Sequence, residues 1–371
     1  MEFIQDEAPR ELASLTRKLL TGKLTQERLR AAEGQGDGID RALWADLAAA
    51  GILSAALPEP AGGAGLDLLA QCAVLIELGR AVVPVPYLAS IVLGAGALAR
   101  FGTPGQRDRW AAPAGRGELI LTAALVEEDG DDPRVPSVSA EPVPGGWRLS
   151  GVKTTVPAAP LADLMLMPAA APAGAVVFLV DPADAGVSVE RQVVTGGIAG
   201  RVVLDGVMLA PGRVLGSPEA GREVTGWLAA HGTVGLCAQQ LGVLERALEL
   251  TASYARTRVQ FGKPIGGFQA VAQRLADAYV EVEAVRLTMW QAAWLLAEGM
   301  PCETEIATAK FWAADAGHRV AHTAVHIHGG VGIDVEYPLH RYFVAAKNGE
   351  FTLGGATTQL RRIGAALASE G

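Results

Sequence analysis

Apolar residues recur at three- and four-residue intervals up to about residue 117, switch to short runs from about 118, and return to the helical period from about 218. Leu12, Leu15, Leu19 and Leu20 predict a helix over 10–21, and similar spacing predicts helices over 39–50, 66–78 and 87–101. Gly34-Gln35-Gly36-Asp37-Gly38 separates the first two, and Gly102-Thr103-Pro104 stops the last. Between the second and third lies Pro58-Glu59-Pro60-Ala61-Gly62-Gly63-Ala64-Gly65, whose glycines permit backbone shapes that other residues resist. Seven β-type runs follow, over 119–122, 135–143, 147–149, 164–167, 175–180, 187–194 and 202–207. Turn clusters separate them at roughly ten-residue intervals, the cadence of a small antiparallel barrel or sandwich. Long helices are predicted over 224–258, 268–298 and 303–327, and short ones over 339–347 and 356–368. This gives three expected domains: helical 1–117, β 118–217 and helical 218–371, with no internal repeat.

Composition narrows the class. Half of the 371 residues are hydrophobic and 19% are charged, which excludes intrinsic disorder. The longest apolar stretches are broken by Pro84, Pro86 and Gly94, and by Pro168 and Pro172, so no membrane span of about twenty residues is expected. With net charge -9 and no dense Lys/Arg run, nucleic acid is not an expected partner. Cys72, Cys237 and Cys302 lie far apart without metal-ligand spacing, and Met1-Glu2-Phe3-Ile4-Gln5-Asp6 lacks a signal peptide's basic start. Reduced thiols in the cytoplasm are the expectation.

Two stretches carry chemistry. In Tyr254-Ala255-Arg256-Thr257-Arg258-Val259-Gln260-Phe261-Gly262-Lys263-Pro264-Ile265-Gly266-Gly267-Phe268-Gln269, a long helix ends in Arg at a Gly/Pro corner before a new helix. Such an Arg can grip a diphosphate bidentately while Phe261 covers an adenine. It can equally complement the helix dipole beside a core Phe. In Ala324-Val325-His326-Ile327-His328-Gly329-Gly330-Val331-Gly332, the glycines either let backbone N–H groups approach a phosphate or merely cap a helix. His326 and His328 point different ways on a helix and have no third ligand nearby, so no metal is expected there.

Taken together, the helical–β–helical order, Pro58-Glu59 before Gly62-Gly63, and both stretches about sixty residues apart resemble the acyl-CoA dehydrogenase family over nearly the whole chain. The resemblance implies an N-terminal helical domain, a central β-barrel or sandwich and a C-terminal four-helix bundle, with FAD held between the last two. It also implies the reaction: flavin N5 takes a hydride from the acyl β-carbon of an acyl-CoA while a glutamate removes the α-proton. Members are usually tetramers in which a neighbouring subunit holds each flavin's adenine end. They pass electrons to an acceptor such as an electron-transfer flavoprotein.

The family's site residues carry over unevenly. Its diphosphate Arg falls on Arg258, the adjoining polar partner on Gln260, the aromatic on Phe261 and the helix-start Gln on Gln269. His326 replaces a Gln, and Gly329, Gly330 and Gly332 match. The loop that cradles a subunit's own flavin is Leu125-Val126-Glu127-Glu128-Asp129-Gly130-Asp131 here, which does not match. Lys153 fits the family's Gly-x-Lys, but its ring-stacking Trp is Thr155 and the following Thr is Pro157. The catalytic Glu falls on Leu353 or, shifted by one, on Gly354; the alternative base position falls on Gly232. None of these can take a proton. Glu350 is the nearest carboxylate, sharing a face with Leu353 only if that stretch is helical.

This pattern is most similar to the base-less subunit of bacterial α2β2 acyl-CoA dehydrogenases acting on CoA-thioesterified steroid side chains. It implies a homologous partner subunit carrying the base. The alternatives are a homotetramer with a displaced base such as Glu350 and a non-catalytic scaffold.

Overall fold

A computed structural model describes residues 7–34, 38–128, 130, 132–194 and 197–369. Gln35, Gly36 and Asp37 of the first spacer, and Asp129 and Asp131, lie outside the described residues, as does the Met1–Asp6 stretch read above. The first part of the chain is helical: α1 (Glu7–Lys23), α2 (Gln26–Gly34), α3 (Arg41–Ala49) and α4 (Leu68–Ala81). A π-helical stretch, Leu88–Ala95, leads into α5 (Gly96–Phe101); α6 (Pro104–Gln106), a second π-helical stretch Arg107–Ala111 and α7 (Ala112–Gly115) follow. Strands β1 (Leu121–Ala123), β2 (Ser139–Val143), β3 (Gly146–Pro157), β4 (Leu164–Ala171), β5 (Gly174–Val180), β6 (Val187–Gln192) and β7 (Ala199–Leu209) come next. The remainder is α8 (Gly221–Thr257), the hairpin β8 (Val259–Gln260) and β9 (Lys263–Pro264), α9 (Gln269–Ala297), α10 (Glu303–His328), α11 (Leu339–Phe351) and α12 (Ala356–Ser369). The helical, β, helical order read from the periodicity is the order observed.

Two compact units divide the chain: Met1–Gly22 with Gln71–Val83 and Thr233–Gly371, and Lys23–Ala70 with Pro84–Gly232. Among the described residues, the first consists of helices and one hairpin with their connections. On α9 the buried residues Ala278, Val282, Val285, Met289 and Ala292 repeat at intervals of four and three, one stripe of a straight helix. On α10 the buried face is mostly alanine, with Gly317. Small residues let helices approach closely: a Cβ on Gly242 would lie 2.0 Å from the Ile76 carbonyl oxygen. The buried amide of Gln240 fills the space left by Gly317 and Gly349, donating to the carbonyls of Ala313 (3.2 Å) and Ala346 (3.1 Å).

The second unit contains one seven-stranded sheet, ordered β1-β4-β2-β3-β7-β6, with β5 also on β4. The antiparallel expectation needs correction: β1 and β2 both pair parallel with β4. Turn spacing reports where strands end, not which neighbour they find. Strand lengths also shift. The run 147–149 is part of the twelve-residue β3, bulged between Leu149 and Gly151 and between Lys153 and Val156. The run 135–143 becomes strand only at Ser139. Leu149, Met165, Met167, Phe178, Val202 and Val207 form the core against the sheet, each removing apolar surface worth about 1.5–3 kcal/mol.

Candidate functional site

At the end of α8 the chain turns through a two-residue loop between β8 and β9. Its residues, Phe261 and Gly262, have φ of +51° and +79°. Both central residues of such a turn need positive φ, which suits Gly262 and strains Phe261. The loop closes through Ile265 N–H donating to the Arg258 carbonyl at 2.8 Å. Phe261 is 93% exposed, touching Phe268 edge-on at 6.1 Å. Arg258, Gln260 and Gln269 are exposed as well. Among the described residues, the Arg258 guanidinium has no carboxylate partner. The structure therefore does not favour the reading in which Phe261 is core: its ring faces outward.

The second stretch meets the first. His328, at the end of α10, is buried and stacks on Tyr254 of α8 with ring centroids 4.3 Å apart. Its Nδ1 lies 2.8 Å from the Ala324 carbonyl and its Nε2 3.2 Å from the Tyr337 hydroxyl. Burial pushes the His328 pKa down against the opposing Ala324 bond. So His328 is a structural pin. His326, two residues earlier, is exposed and lines a groove of about 840 Å³ with Ala270, Gln273, Arg274 and residues of α10. Beyond the pin, Gly329 has φ +62°, and a Cβ on Gly329 or Gly330 would meet nothing within 4 Å. This backbone is open to an approaching group. A Cβ on Gly332 would lie 3.0 Å from Val325, so that glycine serves packing. The seven residues carried over from the resemblance thus gather around the ends of α8 and α10 and the head of α9, in one unit.

That region fits an adenine dinucleotide. It offers an uncommitted guanidinium, three exposed amide or imidazole groups, an outward aromatic ring and backbone without side-chain cover.

The positions onto which the resemblance carries the base are engaged otherwise. Leu353 has φ +57° and is buried, and Gly354 has φ +91°. The carbonyls of both accept from the buried Gln359 amide at 3.2 Å. α11 ends at Phe351, so Glu350 and Leu353 share no helical face. The Glu350 carboxylate is engaged by Lys347 Nζ at 2.5 Å and lies 3.3 Å from His318 Nδ1. Lys310, fully buried, donates to the carbonyls of Gly349 (3.0 Å) and Glu350 (3.2 Å), holding the helix end that leads into this turn. In the other unit, Gly232 is buried on α8 beside His231. The His231 ring stacks on Trp227 at 3.8 Å with Nδ1 3.0 Å from the Trp227 carbonyl, and burial lowers its pKa to about 4.

The segment expected to differ from the family's flavin loop is built around a buried ion pair that pattern reading missed. Glu127 accepts from Lys153 Nζ at 2.5 Å, from Ser137 N–H and Oγ at 2.5 Å and from Val138 N–H at 3.1 Å. Burial alone would raise the Glu127 pKa, but the Lys153 and Ser137 bonds outweigh it and the net shift is downward. Burial lowers Lys153. Two charged residues 26 apart, one on a loop and one on a strand, give no local signal of such a pairing. Thr155, exposed at the β3 bulge with φ +47°, donates its N–H to the Gln192 side chain at 2.7 Å.

Comparison with known proteins agrees with this architecture. Residues 6–118 match the family model "Acyl-CoA dehydrogenase, N-terminal domain" and residues 219–368 match "Acyl-CoA dehydrogenase, C-terminal domain". The chain is 49% identical to acyl-CoA dehydrogenase FadE27 of Mycobacterium tuberculosis over 377 aligned positions, covering 99% of each. It is similar to a chain in the crystal structure of the ChsE4-ChsE5 complex from Mycobacterium tuberculosis, with TM-score 0.95, 49% identity and 99% of each chain covered. It is also similar to a chain in a variant of the Tcur3481-Tcur3483 steroid ACAD, with TM-score 0.92, 44% identity and 98% of each chain covered.

Proposed function

The chain belongs to the acyl-CoA dehydrogenase family, and on that footing we propose that it is the base-less subunit of a heteromeric enzyme. The carrying observation is an asymmetry. Arg258, Gln260, Phe261, Gln269, His326, Gly329 and Gly330 are open and outward-facing, as a dinucleotide clamp would be, while Leu353, Gly354 and Gly232, onto which the resemblance carries the base, have no proton-accepting side chain. A homologous partner supplies the catalytic Glu and the flavin-ring pocket, in an α2β2 assembly holding FAD at the junction of unlike subunits. A flavin bound there would supply a hydride acceptor for the acyl β-carbon. This chain's residues bind and orient: Arg258 pairs with the diphosphate, Phe261 covers the adenosine, and Gln260, Gln269 and His326 donate hydrogen bonds. The segments 1–117, 118–217 and 218–371 are its three domains in this reading. The proposed substrate is a steroid side-chain CoA thioester, supported by likeness to a protein described as a steroid ACAD. An electron-transfer flavoprotein is the proposed acceptor.

Replacing Arg258 by Ala tests the clamp. A partly buried phosphate charge without its counter-charge costs on the order of 2–5 kcal/mol. The co-expressed complex should lose FAD on gel filtration, and added FAD should partly restore turnover. Unchanged flavin content would point to a scaffold role. Turnover by this chain alone, abolished in Glu350→Gln with flavin still bound, would point to a displaced base.

A further inference from the structure

Residues 329–336, which follow α10, carry the open Gly329–Gly330 backbone, and most of their side chains face outward. Val331, Ile333 and Val335 are 38%, 71% and 65% exposed, and within the short helical turn Gly329–Ile333 the buried residue is Gly332. Side-chain packing therefore does little to fix this loop. Its ends are joined instead by a side-chain bond: the Tyr337 hydroxyl stands 3.2 Å from Nε2 of His328, nine residues earlier. The direction of that bond follows from the other ring nitrogen. His328 Nδ1 is 2.8 Å from the Ala324 carbonyl oxygen, which can only accept, so Nδ1 carries the proton. Nε2 is then the lone-pair nitrogen, and the Tyr337 hydroxyl donates to it. Burial keeps both partners in those states: it lowers the His328 pKa and raises that of the Tyr337 phenol, an effect to which Tyr254 adds.

The bonded pair is itself anchored. Tyr254 of α8 stacks on the imidazole at 4.3 Å, tilted by 24°, and meets the Tyr337 ring edge-on at 6.5 Å. On the loop side, a Cβ on Gly332 would lie 3.1 Å from the His328 Cβ, so the loop presses against the same residue. Gly329 follows directly, with φ +62° and ψ −140°, a conformation that needs glycine. A glycine pair has no side chain of its own to set its course, so the residues flanking it must do so. Here those residues are His328 on one side and, across the loop, Tyr337.

We propose that Tyr337 is a positioning residue for the dinucleotide: its hydroxyl, acting through His328, holds the Gly329–Gly330 backbone on the course that meets the cofactor. This rests on the flavin-clamp reading above and adds to it a residue that acts from behind the clamp. The test is titration of FAD into the deflavinated, co-expressed complex, followed by flavin fluorescence. Tyr337→Phe keeps the ring, and His328→Phe keeps a ring for Tyr254 to stack on. Each should weaken FAD binding roughly two- to tenfold, as expected for one lost hydrogen bond. The double variant should bind FAD no more weakly than His328→Phe alone, because both changes remove the same bond. Saturating FAD should restore kcat, and amide exchange over 329–336 in the FAD-free complex should quicken in Tyr337→Phe. Unaltered FAD affinity in Tyr337→Phe, where Arg258→Ala still weakens it, overturns this inference and leaves the clamp standing. Unaltered affinity in both removes the clamp and this inference with it. Losses that multiply in the double variant, unchanged amide exchange, or a kcat deficit that excess FAD does not recover also overturn it.

Discussion

Phe261 holds a left-handed backbone with φ +51° while its ring stays in solvent. An L-residue there costs roughly 1–2 kcal/mol, against which the ring meets Phe268 edge-on. Thr155 and Leu353, at the positions aligned with the family's ring-stacking Trp and its base, share that conformation with φ +47° and +57°. Val82 and Ala158 share it as well, at φ +47° and +54°, so this backbone is not confined to positions where the resemblance locates function. His231 shows a different cost. Burial lowers its pKa to about 4 from an ordinary 6.5, so between those values the unfolded chain binds the proton that the folded chain refuses. Stability should fall as pH drops from 6.5, by on the order of 2 kcal/mol at pH 5. Urea unfolding at pH 7 and pH 5 checks this, and the pH dependence should shrink in His231→Phe. Residue roles were only partly legible in sequence. The motif stretch 254–269 carried its own signal in Arg, Phe and glycine at fixed spacing. The Glu127–Lys153 pair carried none, because it depends on how a loop folds onto a strand.

Helices with strong periodicity were readable to within a few residues, as with α9 and α10. Where the reading failed, competing contacts explain it. The polar α2, Gln-Glu-Arg-Leu-Arg-Ala-Ala-Glu-Gly, has too few apolar positions for a stripe. Thr103-Pro104 ends one helix and also starts another, through a capping box between Thr103 and Gln106. The run 135–143 is delayed as a strand because Glu127 captures the N–H groups of Ser137 and Val138, which a ladder would otherwise use. Helix packing around Gln240 leads to an opposite-sign pair of predictions. A Cβ on Gly349 of α11 would lie 2.3 Å from the Gln240 side-chain oxygen. Gly349→Ala should therefore destabilise by on the order of 1–3 kcal/mol, despite alanine's better helix propensity. On α12 a Cβ at Gly364 would meet nothing within 4 Å. Gly364→Ala should be neutral or stabilise by up to about 1 kcal/mol. Chemical denaturation of both variants checks the signs.

At the scale of the molecule, the helical unit exposes large apolar residues in rows on two helices. Val280, Leu287 and Trp294 of α9 recur every seventh residue and are 66%, 55% and 39% exposed; Leu360 and Leu367 of α12 are 53% and 65% exposed. Such stripes mark surfaces that partners cover. Among the described residues, no helix is long and apolar enough to cross a membrane. A homologous subunit is the proposed cover, and the same subunit would bring the base that Leu353 and Gly232 cannot provide. Expressed alone, the chain should be poorly soluble or colourless. The central claim is that this chain clamps a flavin whose chemistry belongs to its partner. It is tested most directly by counting FAD against both polypeptides in the purified, co-expressed complex, by absorbance and quantitative amino-acid analysis. The account predicts two FAD per α2β2 tetramer and none retained by this chain alone. A stable homotetramer of this chain carrying four FAD would contradict it.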